Sequence, residues 1–181
     1  RRSIPYVVAG LAIGVYMRID QVMLGILSTS EETGIYAAAV RLSESANFIP
    51  VAVASSFAPG LARLKAVDPE GYEGQTLRML RVLSSLALII TIPVALLAPF
   101  VIPVLLGSAY AESGFVLSVH VLSNLFVFFG VGESVWGTNA GLQQVTMVKT
   151  VAGAAVNILL NFLLIPRFGA LGAAAATLVA Y

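Results

Sequence analysis

Four charged residues stand inside long apolar runs: Arg18 and Asp20 in the first run, Arg41 and Glu44 in the second. A charge at the centre of a membrane helix costs about 2.5–3.5 kcal/mol, whereas each Leu, Ile or Val returns only about 0.3–0.6 kcal/mol. Residues 4–27 contain eleven Ile, Leu and Val, so a gain of roughly 5 kcal/mol is matched by the cost of two charges. Such side chains must face partners or a hydrated cavity, which makes them functional candidates. An Arg carries a permanent charge and directed donors suited to phosphate, so Arg18 and Arg41 are candidate substrate-binding groups. The carboxylates of Asp20 and Glu44 are candidate ion-pair or coupling groups. With Glu31 as the centre of the turn between two antiparallel helices, Arg18 lies thirteen residues before it and Glu44 thirteen after. The same count sets Asp20 level with Leu42, beside Arg41. This register predicts two opposite-charge pairs, Arg18 with Glu44 and Asp20 with Arg41, serving either as a lock between helices or as the lining of a cavity.

Softer polar stripes follow. At about 100° per residue, Arg41, Glu44, Ser45, Ser55 and Ser56 share one face of the second helix. Ser113, His120, Ser123, Asn124 and Ser134 share a side of the fourth, and Thr150, Gly153, Asn157 and Asn161 form a stripe on the fifth. His120, Asn124, Asn157 and Asn161 are therefore candidate cavity-lining groups. The competing reading is helix packing through small and amide residues. Glu133 beside Trp136 reads as part of an interfacial aromatic anchor.

The elements that position these residues are set by composition. The chain has 181 residues, 59% hydrophobic and 10% charged, which leaves too little polar surface to cover a water-soluble core. Ten Lys and Arg against nine Asp and Glu create no basic field, so nucleic acid is not an expected partner and the lipid bilayer is. The absence of Cys excludes disulfides, thiolate metal sites and cysteine nucleophiles. No zinc-protease, P-loop or nucleophile-elbow motif occurs, and the glycines at 130, 132 and 137 follow no strand at dinucleotide spacing. No catalytic residue, cofactor or metal is expected.

Crossing a hydrocarbon core of about 30 Å takes about 20 residues in helix. Residues 4–27, 35–61, 77–98, 113–137 and 145–165 satisfy this, and a further run starts near Gly169. The connections 28–34, 66–71, 107–110, 139–141 and 166–169 carry turn residues. Pro50, Pro59, Pro93 and Pro99 each remove a helix hydrogen bond and favour kinks. The runs are continuous and too long for barrel strands. The fold class is thus all-α, a polytopic transmembrane helix bundle forming one lobe over residues 1–181. A chain opening on Arg1-Arg2 and stopping at Tyr181 within an apolar run reads as a fragment of a longer protein.

Several segments in this order resemble a known family. Asp20-Gln21-Val22-Met23-Leu24-Gly25 and Glu32-Thr33-Gly34-Ile35-Tyr36-Ala37-Ala38-Ala39 are similar to the opening of the carboxy-terminal lobe of polysaccharide exporters. Leu105-Leu106-Gly107-Ser108-Ala109-Tyr110 resembles their short outer connection. Asn157-Ile158-Leu159-Leu160-Asn161, leading into Leu164-Ile165-Pro166-Arg167-Phe168-Gly169-Ala170-Leu171-Gly172, with Ala176-Thr177 beyond, resembles O-antigen and teichoic-acid exporters of the multidrug, oligosaccharidyl-lipid and polysaccharide flippase superfamily. The resemblance implies two six-helix lobes, alternating access, and inversion of an undecaprenyl-diphosphate-linked oligosaccharide across the bacterial inner membrane. This chain would be the second lobe, partnered by an amino-terminal lobe of the same protein. A multidrug or cation antiporter of that superfamily, and a non-transporting membrane subunit of a polysaccharide-synthesis complex, are the alternatives.

Lys and Arg between runs give the orientation. With the amino end inside, Arg1, Arg2, Arg63, Lys65, Arg78, Arg81 and Lys149 fall on the cytoplasmic side and Arg167 alone on the other, as the positive-inside rule requires. Single cysteines placed in 63–81 of the full-length protein should therefore resist an impermeant maleimide in intact cells, and cysteines in 28–34 should react. The reverse pattern would overturn the topology.

Overall fold

The structure is a computed structural model that describes residues 18–181. Among these residues the chain forms seven α-helices and one 3-10 turn: α1 (Ile19–Leu27), α2 (Ser30–Glu44), α3 (Phe48–Val67), α4 (Pro69–Leu106), the 3-10 turn (Ser108–Tyr110), α5 (Ala111–His120), α6 (Ser123–Ala140) and α7 (Gln143–Ala180). Helices Ser30–Val67, Pro69–Leu106 and Gln144–Ala180 are long and apolar enough to cross a membrane, and Ser108–His120 with Ser123–Ala140 meets the same measure only as a pair bent by 42°. With the composition, this makes the chain a multi-pass membrane protein. Most of the first expected span, with its Gly10 and Gly14, lies outside the described residues.

The second expected span is broken. Pro50 has no amide hydrogen for the carbonyl of Ala46, which instead accepts from Ile49 N at 3.0 Å, while Asn47 N bonds Glu44 O at 2.9 Å. The chain therefore tightens between α2 and α3, and the angular count carried through Ser45 fails. Ser55 and Ser56, like Arg41 and Ser45, are exposed. The other prolines behave differently: Pro59, Pro93, Pro99 and Pro103 lie within uninterrupted helices. The 66–71 connection shrinks to Asp68, whose side chain accepts from Gly71 N at 3.0 Å with Pro69 at the first helical position, a favoured helix start. From there α4 runs about 57 Å at 1.5 Å per residue, well beyond a hydrocarbon core.

α7 is two arms. Gly169 has φ 53° and ψ −133°, a conformation that residues with a Cβ avoid. Beyond it the chain returns: a Cβ on Gly153 would lie 3.0 Å from Ala180 O, and one on Gly172 would lie 2.5 Å from Leu164 O. The sequence-based division into a fifth span and a sixth starting near Gly169 matches this turn. The second arm begins with Ala170 N bonded to Glu32 Oε2 at 2.6 Å. Glu32 thus caps a helix other than its own.

The turns after α1, after α4 and at Gly169 gather at one end of the bundle, because Glu32 meets Ala170 and Ser113 Oγ donates to Ile35 O at 2.9 Å. Lys65 reaches Asn139 O at the other end, here termed the basic end. The principal core packs Leu24, Tyr36, Val40, Ile102, Leu117, Ile165 and Ala173; a second core at the basic end holds Ala54, Leu61, Met79 and Leu83. Gly114 lets α5 cross α4 closely, since a Cβ there would lie 2.8 Å from Pro99 Cα.

Gly169→Ala should destabilise the full-length protein by about 1–3 kcal/mol, the usual cost of a backbone forced into a sparsely populated region. Its Cβ would also displace the Glu32 carboxylate. Glu32→Ala should lose about 0.5–2 kcal/mol as a removed cap. Thermal unfolding in detergent measures both, and an unchanged midpoint for Gly169→Ala would contradict the turn.

Candidate functional site

Asp20 is the hub of a polar cluster at the packed centre of the bundle. Its Oδ1 accepts from Asn161 Nδ2 at 2.5 Å, and its Oδ2 accepts from Tyr36 Oη at 3.1 Å and from Thr177 Oγ1 at 2.9 Å. Asn161 Nδ2 also donates to Asn157 Oδ1 at 3.1 Å. Tyr36, Asn157, Asn161 and Thr177 are all buried. Asn161 Oδ1 is shielded and has no hydrogen-bond partner among the described residues. The cluster thus gathers a carboxylate, hydroxyls and amides with no basic side chain among the hydrogen-bond partners of Asp20.

The expected pairing of Asp20 with Arg41 does not form. The turn is centred between Ser28 and Thr29 and not at Glu31, so Asp20 comes level with Ala37, next to Tyr36. The buried face of α2 is Tyr36, Ala39, Val40 and Ser43, and Arg41 points away from it, exposed and without an ion pair among the described residues. Arg18 does approach Glu44, with Nη1 3.6 Å from Oε2, but these side chains remain 50% and 38% exposed. That pair is therefore a half-solvated contact and not a buried lock.

A second polar knot lies where the two broken spans meet. His120 Nδ1 is 3.0 Å from Ser43 Oγ, and Asn124 Nδ2 donates to Ser43 O at 3.0 Å. In an unbroken helix Ser43 O would take the amide of Asn47, but that amide bonds Glu44 O. Asn124 supplies the missing donor. Ser123 Oγ does the same for His120 O at 2.7 Å, because Asn124 N has turned to Val121 O. The His120 ring meets the Tyr36 ring edge-on at 5.9 Å between centroids, which joins this knot to the Asp20 cluster.

Both groups border a cavity of about 730 Å³. Arg18, Asp20, Glu44, His120, Asn124 and Asn157 line it; Arg41 and Asn161 do not, the latter sitting behind Asp20. Sequence reasoning missed several of its groups, namely Tyr36, Thr177, Asn47 and the ion pair of Lys149 Nζ with Glu133 Oε1 at 2.5 Å. A usable signal was present. Glu133 and Lys149 each lie eight residues from Gly141, Asn161 and Thr177 eight from Gly169, and Asp20 and Tyr36 eight from Ser28, so partners across a helical hairpin are equidistant from its turn. Among the described residues no group of three or more His, Asp or Glu could hold a metal ion.

Apolar helices packed around a polar cavity define an all-helical membrane bundle. Residues 2–115 match the family described as polysaccharide biosynthesis protein, and the chain belongs to that family. A solved structure described as the outward-facing conformation of a multidrug resistance MATE family transporter of the MOP superfamily is similar in fold. Its TM-score is 0.72 at 23% identity, and the match covers 98% of this chain and 40% of that one. The chain thus spans less than half the length of this structural relative. No curated protein matches the sequence.

The two charged positions on either side of Ile19 should separate in stability. Asp20→Ala removes the acceptor of three hydrogen bonds and should cost about 1.5–3 kcal/mol for the strongest bond alone. Arg18→Ala removes a half-exposed pair worth less than about 1 kcal/mol. Unfolding of the full-length variants in detergent compares them, and an Arg18 variant as damaged as the Asp20 variant would contradict the assignment.

Proposed function

We propose that the chain is the carboxy-terminal lobe of a flippase for lipid-linked oligosaccharides, residing in the bacterial inner membrane with its basic end in the cytoplasm. The observation that carries this reading is the polar cavity, bordered by Arg18, Asp20, Glu44, His120, Asn124 and Asn157, inside a chain of the polysaccharide biosynthesis family. The substrate is an undecaprenyl-diphosphate-linked oligosaccharide. Arg18 meets its diphosphate from the cavity wall, where a guanidinium offers charge and paired donors. Arg41, exposed on the other face of α2, serves as a second contact only if the partner lobe brings the substrate there. Asp20, with Tyr36, Thr177 and Asn161 on its oxygens, takes up the coupling cation or proton. Through Tyr36 and His120 its state reaches the break between α2 and α3. Transport, and no catalysed bond change, is the activity proposed.

Similarity in fold to a multidrug resistance transporter favours a multidrug antiporter as the second reading. The two readings differ in what accumulates. Deletion of the full-length gene should trap glycosylated undecaprenyl diphosphate on the cytoplasmic leaflet and reduce surface polysaccharide, measured by lipid extraction and surface labelling. Normal surface polysaccharide in a strain with no second exporter would refute the flippase. In the complemented strain, exchanging Arg18 and Glu44 should restore protein level in the membrane without restoring flipping; full recovery of flipping would leave the pair with a structural role alone.

A further inference from the structure

A second cavity, of about 710 Å³, opens at the basic end between the start of α4, the end of α6 and the start of α7. Its size falls in the range of ligand pockets. Trp136 lines it, with 37% of the residue exposed, and so do Tyr72, Glu73, Thr76, Glu133 and Lys149.

The chemistry of the walls selects the occupant. Lys149, the one cation of the lining, is engaged by Glu133, so the pocket walls offer phosphate and diphosphate no unpaired positive charge. An acyl chain offers nothing to the two carboxylates of the lining. A sugar ring suits both kinds of wall: its apolar C–H face packs on an aromatic plane, and its hydroxyls donate to carboxylates while accepting from an ammonium. Phe129, Glu133 and Lys149 line this cavity and the first one alike, so a ring held here is one side-chain wall away from the cavity that Asp20 borders.

We propose that the Trp136 cavity is a saccharide subsite, which receives the sugar of a lipid-linked oligosaccharide while its diphosphate stays outside the pocket. This rests on the flippase reading above and adds to it a place for the head group. The test uses the full-length protein, otherwise free of cysteine, in inside-out membrane vesicles with Leu77→Cys at the half-exposed rim of the pocket. The probes are the glycolipid extracted from the deletion strain and undecaprenyl diphosphate without sugar. The glycolipid should slow maleimide labelling at position 77 severalfold and the bare lipid should not. Trp136→Leu should abolish that protection, and Trp136→Phe, which keeps a ring, should retain part of it. If Trp136→Leu fails to reach the membrane, Glu73→Gln at the exposed rim is read in its place, and it should weaken protection. Equal protection by both lipids, protection by neither, or protection indifferent to these substitutions overturns the subsite. A deletion strain that accumulates no glycolipid sinks the transport reading and the subsite together, whereas accumulation without sugar-dependent protection sinks the subsite alone.

Discussion

Hydrocarbon supplies no hydrogen bonds, so wherever a helix in this bundle breaks, its freed backbone groups must find a partner within the protein. The structure meets that demand with side chains lent from other helices, two of them far away in sequence and one, Ser123, three residues on. Asn124 takes the carbonyl of Ser43, and Ser123 takes that of His120. Glu32 takes the amide that follows Gly169. Each loan fixes two elements against one another, so the breaks are also the joints that hold the lobe in register. The break beside Pro50 and the one at Val121 and Leu122 face each other across Ser43, and neither can straighten without releasing a group that the other satisfies.

The same demand explains the surroundings of Asp20. A carboxylate at this depth could be neutralised by an Arg, but here it is held by two hydroxyls and an amide. These neutral donors satisfy its oxygens without adding a positive charge. Arg18, by contrast, is half-exposed beside Glu44 at the cavity wall. Arg18 and Asp20 thus meet different surroundings although only Ile19 separates them.

Depth is set by counting from turns. Asp20 and Tyr36 descend eight residues from Ser28, and Asn161 and Thr177 descend eight from Gly169; both turns lie at one end of the bundle. At 1.5 Å per residue all four groups arrive about 12 Å below that end. Their meeting follows from equal arm lengths and shared turns. Glu133 and Lys149 repeat the geometry from Gly141 at the basic end.

Composition and run length alone established that the chain is an all-helical membrane bundle, because only continuous apolar helices can satisfy the backbone in lipid. They located the turns near Gly107, Gly141 and Gly169 and singled out Asp20, His120, Asn124, Asn157 and Asn161. Partners were another matter. The register of the first hairpin depended on where its turn is centred, and an error of two to three residues moved Asp20 from Tyr36 to Arg41. The break after Glu44 was hidden because the apolar run continues through it, although Pro50 marked the place. Glu32 and Thr177 had no periodic signal, since a cap and a distant donor acquire their roles only when other helices arrive. The sequence by itself determined which groups must avoid lipid, as the cost of burying them is local; the tertiary structure alone decided which of them meet, as that depends on where separate helices turn and break.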